Sequence, residues 1–421
     1  MKTKTKIILD AWLGRTLVFL LNICARILGK ILGIDHSFDR KPNRIVICKF
    51  LGMGSIIQAT PLLSTLRKNF PEAKIIFLTS KSNVKLLELI DAIDGILYID
   101  DSSAGRIFMT TYEVLRNFWR KKPDLYIDLE TYSFYSTVLA TVSLARNRFG
   151  FYRIERNIRM GVYTHMMFFN SRAPIAQSYL QMARLAGCRE VTDSLFRFKV
   201  NERDESSMLQ KLSSLTGNSS GKYIVINPNA SDLRIERRWP AKNVIHLIHR
   251  LRLAFPDKII VLIGSANESE WVRGIHKELD EPSAKKVFNT AGRFSLNELF
   301  ALIRNSELVI TNDTGPMHIS FALDRPTIAL FGPASPSQYG QNPNAFGVYK
   351  NIYCSPCVHD FLSPPCRGDN QCMKQISVDE VFRLCEEILC NPGKEGNIQV
   401  PPMNFLKKDK HETLGIVDRS G

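Results

Sequence analysis

Acidic side chains are scarce in this chain: 41 Asp and Glu stand against 56 Lys and Arg, a formal charge of +15 over 421 residues. The deficit points to an anionic partner, whether nucleic acid, a phospholipid surface or a phosphorylated substrate. No zinc-finger, RNP-type or basic-zipper pattern is present and the basic residues are scattered, so nucleic acid is set aside. Long apolar runs are missing as well. Near the N-terminus the longest charge-free run, Thr16–Ala25, is too short to span a bilayer. Lys2, Lys4 and Lys6 open the chain, but no clean cleavage site follows, so a secretory signal is not expected. A complete G-x-G-x-x-G is also absent, so a dinucleotide site has no support. What remains is ordinary for a soluble globular protein, with 44% apolar and 23% charged residues. The length suits two α/β domains plus appendages.

Read in order, residues 1–41 form an amphipathic helix. Between Ile7 and Gly33 a polar stripe of Arg15, Asn22, Arg26, Lys30 and Gly33 runs beside Trp12, Leu13, Phe19, Leu20, Ile23, Ile27, Leu28 and Ile31. Such a body predicts an interfacial helix at an anionic membrane surface, and the alternative is a helix packed on the protein itself. Apolar strand patterns then alternate with helical ones from Arg44 to Phe151, and again from Tyr223 to Phe331. That alternation implies parallel, doubly wound sheets. The polar run SSLTGNSSG marks the change of domain, giving residues 42–205 and 206–390, with 391–421 as a loose tail.

Chemistry-bearing residues fall at the ends of these strands. Asn312-Asp313-Thr314-Gly315 lies where a strand hands over to a helix, and unpaired amides there suit a phosphate. Gly315 permits close approach, the Thr314 hydroxyl can cap the helix or donate to phosphate, and Asp313 suits hydroxyls or a cation. His318 follows on the helix, as a ligand or as a core histidine. Gly52-Met53-Gly54-Ser55 ends the first strand, with Ser55 and Gln58 also fitting a capping box. Asp128 and Glu130 end another strand, facing the crevice, where one can serve as a general base; a helix cap is the bland reading. Asn229 and Ser231 precede Arg234, Arg237 and Arg238, whose guanidinium forks suit a diphosphate. Glu268, after Gly264, is placed to hold ribose hydroxyls. Cys354, Cys357, Cys366 and Cys372 lie in a Pro-rich loop, and a structural zinc, free thiols or a disulfide all fit that spacing.

With these pieces in order, the sequence resembles glycosyltransferase family 9, the heptosyltransferases of lipopolysaccharide core, from about Arg44 to Leu389. The resemblance rests on KFLGMGSIIQATPLL, NPNASDLRIERRWP and NDTGPMHISFALDRPTIALFGPASP. It implies a GT-B fold of two Rossmann-like domains facing a cleft and inversion at the sugar without a metal, with which the lack of an Asp-x-Asp motif agrees. Asp313 would hold donor sugar hydroxyls. The diphosphate would rest on Thr314, Gly315 and the amide run through Pro316 and Met317, joined by Arg237 or Arg238 and His318. Glu268 would match the residue on the ribose, and Gly52, Met53 and Gly54 would form the acceptor loop. One departure stands out: the family carries an Asp as proposed base where this chain has Ser55, a hydroxyl far too weak a base at neutral pH. The expectation is an ADP-heptose-like donor, a lipid-linked saccharide acceptor and a peripheral place on the cytoplasmic face of the inner membrane. The alternatives are a catalytically impaired nucleotide-sugar-binding protein, best supported by Ser55, and, more weakly, a nucleotide-sugar epimerase.

Overall fold

The computed structural model describes residues 5, 8–37, 40–217, 222–231, 234–340, 342–358, 364, 366–391, 393 and 396, with the side chains of 154–156 left out. Nearly all of the expected 391–421 tail lies outside the described residues. Twelve described strands form two six-stranded sheets, and every pairing within them is parallel. The first contains β1 (Arg44–Cys48), β2 (Lys74–Ser80), β3 (Gly95–Ile99), β4 (Leu125–Asp128), β5 (Asn147–Tyr152) and β6 (His165–Phe168), in the order β3-β2-β1-β4-β5-β6. The second contains β7 (Tyr223–Asn227), β8 (Ile259–Leu262), β9 (Val287–Asn289), β10 (Leu308–Asn312), β11 (Thr327–Phe331) and β12 (Ala345–Tyr349), in the order β12-β11-β10-β7-β8-β9.

Both sheets are covered on both faces, and the sequence shows why. In β1, Ile45 and Ile47 enter one apolar cluster while Val46 and Cys48 enter another, the period of two that a strand imposes. In β7, Tyr223 and Val225 face one cluster and Ile224 and Ile226 the other. Strands apolar on every side can only be central to a covered parallel sheet. Strand order reverses between β1 and β4 in one sheet and between β7 and β10 in the other. Ligands of open α/β sheets bind in the crevice beyond the strand ends at such reversals.

The change of half falls earlier than the polar run suggests. The helix Glu202–Thr216 contains the expected 205/206 boundary, yet it packs on the second half. Ser207 donates to Glu298 Oε1 at 2.6 Å, Lys211 pairs with Glu298 at 2.7 Å and Arg304 pairs with Glu205 at 2.8 Å. Gly217, in the left-handed conformation, caps the end of that helix.

The N-terminal helix spans Asp10–Leu32, opening with a π-turn. At 23 residues it is long and apolar enough, by length and composition, to cross a membrane, which corrects the expectation drawn from its charge-free run alone. The middle of the stripe meets the protein, while Arg15 and Lys30 are exposed: Asn22 donates to the carbonyls of Ile158 and Met160 at 2.6 Å each, and Arg26 donates to Asn22 Oδ1 at 2.7 Å. Asp10 accepts from the amides of Phe134 and Tyr135 at 2.9 and 2.6 Å, holding the start of the helix Phe134–Val142. The apolar side chains point outward instead, with Trp12 78% and Ile31 72% exposed.

Candidate active site

At the second reversal two loops are tied together by asparagine. Asn312 Nδ2 donates to the Asn229 carbonyl at 3.0 Å, and Asn229 Nδ2 donates to the Ile263 carbonyl at 2.7 Å. The buried Trp239 amide donates to Asn312 Oδ1 at 3.2 Å. These bonds swing the arginine loop onto the turn after β10. Asn229 therefore braces the site from beneath, while Ser231 is exposed at the edge of the described loop.

The result is an unusual carboxylate. Asp313 is 1% exposed, and Arg237 Nη1 lies 3.4 Å from its Oδ2 while donating to its backbone carbonyl at 3.1 Å. Neither Asp313 carboxylate oxygen accepts a hydrogen bond, and Arg237 Nε is unpartnered too. Buried polar groups are nearly always satisfied, so such an orphaned pair marks a place for a ligand. The turn itself is narrower than the sequence suggests. Thr314 is the cap residue of the helix Gly315–Ala322, but its side chain makes no cap bond; it accepts from Asn227 Nδ2 at 2.8 Å. Pro316 has no N–H, and the Met317 amide donates to the Thr314 carbonyl at 3.1 Å. Thr314 and Gly315 are left as the amides that can meet an anion. A side chain at residue 315 would meet only Met53 Sδ, at 3.5 Å, so the fold leaves room beside Gly315.

Arg238 and Glu268 do not join this group. Arg238 stacks over Trp271 at 4.9 Å and donates to the Ala230 carbonyl at 3.1 Å. Glu268 Oε2 accepts from the Ser265 amide and hydroxyl at 2.8 Å each in a capping box.

The first half meets this site through its own first turn. The helix Met53–Gln58 packs on Gly315–Ala322. Gln58 does not complete a capping box with Ser55; its Nε2 lies 3.1 Å from His318 Nδ1 across the cleft. A Cβ on Gly54 would come within 2.1 Å of the His318 ring, so glycine is required there by the contact between halves rather than by an acceptor. Burial pushes His318 down to about 4, only partly offset by Asp313, so the ring is neutral at physiological pH. Ser55 hydrogen-bonds Tyr179, whose phenol is raised first by burial and then by the charge of Glu130. Tyr339, raised first by burial, feels Arg237 and Asp313 on its own half and Lys49 from the other.

The two strand-end carboxylates of the first half are already occupied. Asp128 does not face the crevice: it is wholly buried, accepting from the Tyr163 hydroxyl at 2.5 Å, the Ser136 hydroxyl at 2.7 Å and the Glu130 amide at 2.9 Å. Burial raises it to about 6, against the pull of Arg159 and those donors. Glu130 accepts from the amides of Phe50 and Leu51 at 2.7 and 2.9 Å and pairs with buried Lys49 at 3.1 Å. Lys49, Tyr179 and Tyr339 were not singled out from sequence, and Gln58 was read there only as a cap. Lys49 sits directly after β1 in the first-turn motif, where a strand-end cation was readable, whereas the other three are brought in by packing alone.

The cysteine cluster holds no metal set. Among the described residues no three of Cys, His, Asp and Glu gather as ligands, and Cys354, Cys366 and Cys372 are free thiols. Cys372 turns into the apolar core of the second half while Cys354 and Cys366 are exposed, so the expected structural zinc is not supported.

Two six-stranded parallel sheets, each with a strand-order reversal, are the GT-B arrangement. This chain belongs to glycosyltransferase family 9 (heptosyltransferase), whose model matches residues 112–363. It is 26% identical over 360 residues to lipopolysaccharide heptosyltransferase 1 of Campylobacter coli, covering 82% of this chain and 98% of that one. Over 100 residues, 24% of this chain and 28% of the relative, it is 39% identical to lipooligosaccharide heptosyltransferase 2 of Haemophilus influenzae. The fold matches the structure of E. coli ADP-heptose lps heptosyltransferase II with a TM-score of 0.66 at 21% identity, covering 82% of this chain and 98% of that one. E. coli heptosyltransferase WaaC with ADP-2-deoxy-2-fluoro heptose matches with a TM-score of 0.58 at 18% identity, covering 82% and 99%.

Proposed function

We propose that this protein transfers a heptose from ADP-heptose to a lipid-linked lipopolysaccharide core saccharide, with inversion and without a metal. The carrying observation is Asp313, buried and without a hydrogen-bonded partner at the second reversal, 3.4 Å from Arg237. Its oxygens would accept from the sugar hydroxyls, while the Thr314 and Gly315 amides and Arg237 hold the diphosphate. An acceptor hydroxyl attacks the anomeric carbon, the bond from that carbon to the β-phosphate oxygen breaks, and ADP departs. The proton passes to Glu130, the carboxylate nearer the cleft. Its protonation frees the Lys49 ammonium to act with Arg237 on the charge of the leaving diphosphate, the kind of preorganised stabilisation that dominates such reactions. The outward apolar side of the N-terminal helix holds the enzyme on the cytoplasmic face of the inner membrane, lying along the surface because Asn22 ties the helix to the folded domain.

A second reading, donor binding without turnover, is favoured by one feature. Ser55 stands where the family has its base, and Glu130 is already saturated by two amides and Lys49. Mass spectrometry of core saccharide after incubation with ADP-heptose and EDTA separates the two readings. Transfer by the wild type that falls about a hundredfold or more in Glu130→Gln supports the first. No transfer by the wild type, with transfer gained in Ser55→Asp, supports the second.

A further inference from the structure

The N-terminal helix is not the only element that turns apolar side chains outward. The helix Ala104–Arg120 buries Thr110, Val114 and Phe118 and leaves Phe108 77%, Tyr112 56% and Trp119 46% exposed. Spacings of four and seven residues put those three rings on one stripe. Around them Arg106, Arg116, Arg120, Lys121 and Lys122 are exposed, against the single carboxylate Glu113. The two elements are joined through a third. Thr111 bonds the Tyr135 hydroxyl at 2.5 Å and Trp119 Nε1 donates to the Val142 carbonyl at 2.9 Å, so Ala104–Arg120 lies along Phe134–Val142. Val18 and Asp10 of the N-terminal helix pack on Phe134 of that same helix. Connections from β3 to β4 and from β4 to β5 advance in one direction across the sheet, which puts both of their helices on one face.

We propose that Ala104–Arg120 is a second membrane-contact element, whose rings enter an anionic lipid surface while the flanking cations meet its headgroups. The commitment to a bilayer rests on charge: a run with five cations to one acid, wrapped around aromatic rings, complements anionic lipid. It also rests on the membrane reading given above and extends it. Two contacts fix the tilt of the first half, where one helix would leave it free to roll about its axis.

The test is co-sedimentation of the full-length protein with phosphatidylglycerol-containing vesicles and with neutral phosphatidylcholine vesicles. Three proteins are compared: wild type, Phe108→Ser/Tyr112→Ser, and Leu20→Ser/Ile27→Ser in the N-terminal helix. Each double variant is expected to lose about tenfold in partitioning to anionic vesicles, with an unchanged thermal transition. Quenching of Trp119 by brominated lipid in a Trp12→Phe background is expected to exceed that in neutral vesicles. Wild-type binding by the Phe108/Tyr112 variant, alongside loss in the Leu20/Ile27 variant, overturns this proposal and leaves the single-helix reading standing. No binding by the wild type sinks both. A dimer that light scattering finds only with intact Phe108 and Tyr112 makes a second copy the occupant and likewise overturns it.

Discussion

Three strand-end carboxylates can be compared across the cleft, and they are treated in opposite ways. Asp128 and Glu130 in the first half have three partners each. Asp313 in the second half is just as buried and has only a longer contact with Arg237. Their partners hold the first-half pair in place, and Glu130 can take a proton only as Lys49 leaves it, whereas the unsatisfied Asp313 is held for something that arrives. The first half thus supplies a rigid wall and the second an open socket, and their meeting is set by Gly54 and Gln58 against His318.

The largest effect that sharpens this contrast belongs to the socket. Asp313→Ala should lower transfer by about a hundredfold to a thousandfold while leaving thermal stability close to wild type, since an orphaned charge is removed. A loss of stability as large as that of an Asp128 variant would erase the distinction. Next comes pH. Burial raises Asp128 from 3.8 to about 6, so its share of stability is present below pH 3.8 and lost as pH rises through 6, about 3 kcal/mol in all. His318 works the other way: lowered from 6.5 to about 4, its share is present above pH 6.5 and lost as pH falls through 4. The two oppose one another in one window, so urea unfolding of the wild type should vary little with pH from this source. Asp128→Asn should reveal stability falling toward acid, and His318→Gln stability falling toward neutrality; parallel curves for both would contradict the assignments. Smallest is the seam: Gly54→Ala should raise KM for the donor about tenfold with a lesser change in kcat, because a Cβ meets the His318 ring.

Much of this architecture was written in the sequence. Leu125–Asp128, Tyr223–Asn227 and Thr327–Phe331 fall within the spans whose alternation marks parallel strands, because mainly apolar runs covered on both faces belong in such sheets. β6 and β12 were not picked out, and β6 is half exposed at a sheet edge, so His165–Phe168 lacks that signature. The anion turn was legible through Asp313, Thr314 and Gly315. Arg237 and Arg238 were indistinguishable neighbours, and only the Trp239 anchor decides which one reaches Asp313. Asp128 and Glu130 looked alike for the same reason: β4 ends at Asp128, which points inward to Tyr163, and the turn beyond it carries Glu130 to Lys49; partners distant in sequence leave no local pattern. The N-terminal stripe was read correctly as a stripe, but which side faces water is a tertiary fact.

Titration calorimetry of ADP and of ADP-heptose into the wild type and Asp313→Ala tests the socket most directly. The account predicts that the wild type binds ADP-heptose more tightly than ADP, and that the variant binds both alike with ADP affinity within a few-fold of wild type. An advantage for the sugar that survives the substitution, or no heat from either ligand in the wild type, would contradict it.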